Sequence, residues 1–354
     1  MKDINSVLRQ AYGILAATAK TETGDILDEH RIKYIPLGTK DLKELIQTEF
    51  SSAYKKILEE KMIFRGVGIT DRRIIKQCSL LKPGLRISQN SEYNLYTRLF
   101  SGILPSWRKF PPRNRSFTCT TSTGYAMSFT KYYLTYVDSK SLKGVYVVLP
   151  RNGAIIGVCP SIDLWGSFKF LVENEYSLDD FQYLLMGVID FIGKQIDEIT
   201  TIKTGQKSTE FVNIRSELNK ATKYGSDVDI IAIFTTIAKK LNLYLDDIIK
   251  KIKKEAKNLQ KNNYAYISEV INTTIKMLEE MKKRGTTNII KILDDLFNPK
   301  ANGIKKVTIE QFNIRSDITT EIDDEQSGQE VWTDSDCIFI TLDYLQSIKI
   351  FKRN

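Results

Sequence analysis

Three short stretches of the chain place side chains where they could meet a phosphate or another ligand. The first is Ile63, Phe64, Arg65 and Gly66. An arginine inside a strand, followed by a glycine, sets a planar guanidinium fork where backbone or phosphate can approach closely. The second runs from Phe117 to Ala126, a strand that ends in the hydroxyls of Thr120, Thr121 and Ser122 and passes into a short helix beginning near Ser122. Hydroxyls at such a junction can bond a ligand and the helix start together. The third runs from Ser327 to Ile340, where Glu330 opens a strand after an acidic loop and a turn returns into another strand. Each piece alone also reads as something ordinary: an arginine beside a turn, a helix cap, a strand-edge carboxylate. A competing pair of carboxylates stands at Glu173 and Glu175, since residues two apart in a strand share a face. Glu175, however, immediately precedes a helix start at Ser177, whereas Glu330 opens a strand.

Composition narrows the chemistry. The chain has 354 residues, 52 Lys and Arg against 43 Asp and Glu, a net charge of +9, one histidine and four cysteines. With His30 as the sole histidine, a Ser-His-Asp triad, an HExxH zinc site or a multi-histidine metal centre would have to pass through one residue near the amino terminus. Cys78, Cys119, Cys159 and Cys337 lie far apart and form no CxxC pair, so buried, reduced thiols are expected rather than a zinc ribbon or a disulfide scaffold. No metal site is expected. No apolar run approaches the roughly 18 to 20 residues of a membrane span, and Ala11 to Ala19 reads as a first helix rather than a signal peptide, which points to a cytosolic protein without membrane contact.

The elements that must hold these residues follow from periodicity. The first 60 residues read as helices, with a second amphipathic run from Leu42 to Ile57. Strands are expected at 62–67, 116–121, 144–149 and 154–159, the last two pairing across a tight turn of Pro150, Arg151, Asn152 and Gly153. Helical spacing takes over at Ser177 and continues to about Leu296. Within it, Lys250, Lys251, Lys253, Lys254, Lys257 and Lys261 form a basic run without interleaved aromatics, read as a solvated helix face ahead of a nucleic-acid surface. Strands return at 307–314, 330–332, 337–342 and 348–351. Because two or three strands are marginal alone, the tail is expected to complete the first sheet, which makes the helical block an insertion. The expected divisions are helices over 1–61, a first part of the sheet domain over 62–176, the insertion over 177–299 and completing strands over 300–354.

Taken in order, the three pieces resemble the Arg, Ser-Thr-Ser and Glu motifs of the ADP-ribosyltransferase superfamily, which includes clostridial binary toxins, mono-ADP-ribosyltransferases and phage-encoded enzymes. The resemblance covers about 64–160 and 305–352. Phe64, Arg65 and Gly66 match its aromatic-Arg-Gly strand; Thr120, Thr121 and Ser122, with Ala126 and Phe129, look like its hydroxyl element; residues 147–153 resemble its Val-x-Val-Pro-x-Gly turn; Glu330 and the return strand from Cys337 look like its glutamate strands. The stretch from Arg86 and Ser88 through Trp107, Pro111, Pro112, Arg113, Arg115 and Ser116 also looks like what phage members place between the first two motifs. The resemblance implies an α+β fold, a split β-sandwich with N-terminal helices and a large helical insertion, and NAD as substrate without a metal. It implies that Glu330, or alternatively Glu175 with Glu173, stabilises an oxocarbenium-like transition state. It further implies that Arg65 binds the NAD phosphates, that Thr120 and Ser122 organise the nicotinamide ribose and the glutamate, and that Gly66 and Thr121 belong to the same NAD-binding set. The arginine-modifying branch carries Glu or Gln two residues before the catalytic glutamate, where this chain has Gly328, so the acceptor stays open.

The expected function is therefore a toxin-like mono-ADP-ribosyltransferase acting on a macromolecule, in the first instance a protein, in the host-cell cytoplasm if the chain is phage-encoded. Two alternatives come from other classes. One is a catalytically inactive relative used for binding through its helical block. The other is a nucleic-acid-binding protein, motivated by the net charge and the lysine run.

Overall fold

The computed structural model describes residues 33–67, 78–84, 91–130, 144–211, 214–221, 228–259, 265–318 and 328–347. The expected first helix at 11–19, His30, Arg86, Ser88, Lys261, Ser327, most of the acidic loop and the strand at 348–351 lie outside them. The chain forms two compact units. The first gathers residues 1–89, 107–167 and 299–354; the second gathers 90–106 and 168–298. Sheet and helices are mixed, and the sheet is antiparallel throughout, an α+β arrangement.

In the first unit the chain runs through β1 (Lys33–Pro36), α1 (Thr39–Thr48), α2 (Ser51–Leu58), β2 (Ile63–Gly66) and β3 (Cys78–Lys82). It continues through β4 (Phe117–Thr120), α3 (Thr123–Met127), β5 (Val145–Pro150), β6 (Ile155–Val158), β7 (Lys305–Thr308), β8 (Glu330–Thr333) and β9 (Cys337–Thr341). The strand order is β1-β3-β9-β5-β2-β4-β8-β6-β7. One junction is thin. β2 and β4 share the single pair Phe64–Thr120, whereas β2 pairs with β5 over four residues and β4 pairs with β8 over four. The sheet thus falls into a five-stranded and a four-stranded half joined at that seam.

The halves fold onto each other. Phe117 on β4 and Phe339 on β9 lie three strand spacings apart in the order, about 14 Å in a flat sheet. Their ring centroids are nevertheless 5.3 Å apart, edge to face. One apolar core accordingly takes in Val148, Phe339 and Cys337 from the larger half and Phe117, Cys119 and Val331 from the smaller.

Several expectations are corrected here. β5 and β6 do not pair. The turn after Pro150 forms, with the Ala154 amide donating to the Arg151 carbonyl at 3.0 Å, but it carries the chain from one half to the other: β5 sits between β2 and β9, and β6 between β8 and β7. The corner is tied down by Asn152, whose side-chain oxygen accepts the Ser52 amide at the start of α2 (2.9 Å). The amino-terminal region is not all helical, since β1 forms the sheet edge against β3, another strand the periodicity does not disclose. The expected strand at 307–314 ends at Thr308, after which Ile309 and Phe312 turn inward and are buried.

In the second unit the main helices are α4 (Leu178–Thr204), α5 (Ile230–Leu259), α6 (Ala265–Lys283) and α7 (Ile289–Leu296). Ser177 opens α4 with a reciprocal cap: its hydroxyl accepts the Asp180 amide at 3.0 Å while Asp180 accepts from the Ser177 amide at 3.2 Å. Such a cap satisfies two of the orphan donors at a helix start. The interior is lined by Ile189, Ile192, Ile237, Leu241, Ile252 and Leu278. At one end Phe297 packs edge to face on Phe168 at 4.8 Å and on Phe100 at 5.5 Å. Two lysines of the basic run are neutralised by neighbouring helices, Lys251 by Glu198 and Lys253 by Glu279 (2.5 Å). No helix among the described residues is long and apolar enough to cross a membrane.

Candidate functional site

The three strands that carry the candidate chemistry are consecutive neighbours, β2-β4-β8. Thr120 lies directly opposite Glu330, and Thr118 opposite Trp332. Cross-strand partners point to the same face and successive residues to opposite faces, so Thr118, Thr120, Glu330 and Trp332 share one face of the smaller half. The other face, with Phe117, Cys119 and Val331, is turned into the core.

That alternation separates two residues the motifs would join. Phe64 is the partner of Thr120, so Arg65 points to the opposite face from Glu330. Its Nη1 donates to the Thr118 carbonyl at 2.6 Å and its guanidinium lies 5.8 Å from the Phe117 ring centre. Gly66 does answer to close approach: a Cβ there would sit 1.8 Å from the Ala126 carbonyl oxygen, which lets α3 settle against β2.

The three hydroxyl residues are buried and are used by the backbone. Thr121 Oγ1 accepts the Gln329 amide at 2.9 Å, next to Glu330. Thr120 Oγ1 accepts the Ser122 amide at 3.2 Å, and Ser122 Oγ caps α3 through the Tyr125 amide at 3.3 Å. Together they fix the junction of β4 with α3 and hold the approach to the glutamate in register.

Glu330 is 6 % exposed, and both of its oxygens are engaged. Oε1 accepts Arg113 Nη1 at 2.5 Å, and Oε2 accepts the Leu164 amide at 2.9 Å. Arg113, 7 % exposed, stands on a single turn after Pro112, with its guanidinium carbon 4.9 Å from the Trp332 ring centre. Trp332 donates its indole N–H to the Pro111 carbonyl at 3.0 Å and stacks with Trp107 and Phe110. The loop from Ser161 to Ser167 closes the other side, its Ser161 carbonyl accepting the Glu330 amide at 2.9 Å. The buried guanidinium is the residue the three-motif reading misses; it belongs to the stretch around Pro111 and Arg115, and nothing local in the sequence aims it at Glu330, 217 positions away.

Asp163 on that loop is a second carboxyl, half-buried. Burial pushes its pKa up, against the Gly166 amide that its Oδ1 accepts at 2.6 Å, and the charge of Glu330 adds to the rise. Folding therefore favours its protonated form: the stabilisation is complete below the unfolded carboxylate range and is lost as pH rises through the folded pKa. Asp163→Asn, which keeps an acceptor without the charge, should gain stability over the native chain on moving from pH 4 to pH 7 in thermal melts. A gap that shrinks over that interval would contradict the assignment.

Gly328 has φ +113, and a Cβ there would lie 2.7 Å from the Ser122 Cβ. The position two residues before Glu330 is thus closed to any side chain. Gly328→Gln should destabilise the fold by about 1–3 kcal/mol through backbone strain and this clash, measured by urea unfolding.

Glu173 and Glu175 do not form a strand pair. Glu173 ends the short helix Lys169–Glu173 and Glu175 follows in a turn at φ +55, both exposed and in the second unit. A helix end replaces the strand because the Glu175 amide bonds the Val172 carbonyl (3.2 Å) and the Tyr176 amide bonds the Leu171 carbonyl (3.0 Å). The four cysteines are buried and form no disulfide. Burial raises the Cys78 thiol to about 12 and Cys159 and Cys337 well above their usual range, which makes them poor nucleophiles. Among the described residues no three or more His, Cys, Asp or Glu side chains come together to hold a metal ion. No protein-family model, curated protein or solved structure matches this chain.

Proposed function

We propose that the protein is a mono-ADP-ribosyltransferase, moving ADP-ribose from NAD to a macromolecular acceptor, in the first instance a protein. The observation that carries the reading is the order β2-β4-β8, which sets the arginine, hydroxyl and glutamate strands side by side with Thr120 directly across from Glu330. A sheet that parts at one residue pair and folds its halves together supports a split β-sandwich of the transferase kind. In this reading Glu330 holds a ribose hydroxyl and offers negative charge to the cation that develops as the nicotinamide bond breaks. Thr121, through the Gln329 amide, keeps that carboxylate in place. No metal is required. The exposed Glu173 and Glu175 take no part.

The test uses labelled NAD and a host-cell lysate. Label should pass to a macromolecule with the native chain and with Glu175→Ala, and should be lost with Glu330→Ala. Nicotinamide release is followed in parallel. Label lost with Glu175→Ala alone would move the site away from β8. Absence of both label and nicotinamide release with the native chain would dismiss the enzyme.

A further inference from the structure

Resting on that reading of the site, we propose that Arg113, and not Arg65, is the guanidinium that meets the diphosphate of the dinucleotide, releasing Glu330 as the ligand enters. Three observations lead there. Arg65 lies on the opposite face of the sheet from Glu330 and is committed to the Thr118 carbonyl and the Phe117 ring. Arg113 lies against Glu330 itself, 2.5 Å from Oε1. Finally, Glu330 is 6 % exposed and meets a donor at each oxygen, Arg113 at Oε1 and the Leu164 amide at Oε2, so little of the carboxylate faces an incoming group.

A carboxylate oxygen can accept a second hydrogen bond, but on so covered a residue a ribose hydroxyl gains room at Oε1 when Arg113 moves aside, and a buried guanidinium can move aside only if another anion takes the carboxylate's place. The planar fork fits carboxylate and phosphate alike, through the same parallel N–H donors. An incoming diphosphate therefore satisfies Arg113 at the moment its ribose hydroxyl satisfies Glu330. Trp332 lies beneath the guanidinium and is fixed by Pro111, so it can keep the plane oriented through the exchange. In the ligand-free chain the pair occupies the site it will later serve.

ADP-ribose is the probe, since it carries the diphosphate and ribose but cannot be turned over; its binding to the full chain is measured by calorimetry. Glu330→Gln removes the charge that competes for Arg113 and should bind ADP-ribose about tenfold more tightly than the native chain, because the binding-competent state is no longer withheld. Arg113→Lys should weaken binding about tenfold or more, since an ammonium cannot reproduce the fork. The double variant should lose the gain, and Arg65→Lys should stay within about threefold of the native chain. Equal affinity for Glu330→Gln and the native chain, or a loss confined to Arg65→Lys, would overturn the assignment while leaving the transferase reading intact. A native chain that binds neither ADP-ribose nor NAD would remove that reading and this inference together. If Arg113→Lys melts before it can be measured, the Glu330→Gln arm decides alone.

Discussion

Arg113→Met should lower the stability of the chain by about 3–5 kcal/mol, the usual consequence of leaving one member of a buried ion pair without the other. The reasoning starts from burial. Both side chains are less than a tenth exposed, so neither charge can turn to water when its partner is removed. In the variant, Glu330 would keep only the Leu164 amide on Oε2 and lose the donor on Oε1. The pair as a whole need not be stabilising, because two charges taken out of water cost about what their attraction returns. Hence Arg113→Met combined with Glu330→Leu should recover most of the loss, a coupling of several kcal/mol between the two sites that a double-mutant cycle in urea would measure. A single-variant loss below about 1 kcal/mol would mean that the pair is hydrated in solution. Retaining a pair of little net value makes sense if its members are wanted for something else, which is what the proposed exchange of Glu330 for a diphosphate would supply.

How much of this was legible in the sequence differs with the distance over which the information is carried. α1 and α2 follow from the spacing of Leu42, Leu45, Ile46, Phe50, Tyr54 and Ile57, and α4 follows from Ser177 and Asp180, because a cap and an apolar stripe are local. β2, β4, β5, β8 and β9 are short β-branched or aromatic runs and fall within a residue or two of their expected positions. β3, Cys78–Lys82, contains neither kind of residue, and β1 is four residues long and ends in Pro36, a composition suited to an edge strand but too brief to show periodicity.

Pairing was less legible than the strands themselves. The residues Pro150 to Gly153 specify a turn, and a turn is what forms; whether it closes a hairpin or rounds the corner between two halves of a sheet depends on which distant strands claim β5 and β6. The candidate site suffers from the same limit more sharply. The strand identities put Arg65, Thr120 and Glu330 side by side, but the face each side chain takes depends on registers set between strands far apart in the chain. A slip of one residue reverses every face, and with Phe64 rather than Arg65 opposite Thr120, the expected arginine lands on the other side. Arg113 could be found only by the fold that brings it to Glu330.

The platform beneath that pair is the most demanding piece of packing near the site, and Trp332→Ala should cost about 3–5 kcal/mol, the range for deleting a large aromatic from a close-packed interior. Trp332 is fully buried, stacks with Trp107 at 6.2 Å and Phe110 at 6.1 Å, and is the partner of Gly157 across β8 and β6. The glycine is required by the ring: a Cβ at 157 would stand 2.2 Å from two of the indole carbons. Gly157→Ala should therefore cost at least about 2 kcal/mol through overpacking, because strand pairing on both sides of β8 prevents it from moving away. The two changes should not add. With the indole gone, the methyl group at 157 has room, so Gly157→Ala in the Trp332→Ala background should be nearly neutral, and urea unfolding of the four chains gives the coupling directly. Additive losses would mean that the indole does not lie over Gly157 in solution. The same cycle bears on the site, since the ring that fills the space above Gly157 is the one on which the Arg113 guanidinium rests. Losing it removes the surface that orients the fork toward Glu330, and on the proposed role of Arg113, ADP-ribose binding should weaken along with stability in Trp332→Ala while remaining closer to native in Trp332→Phe.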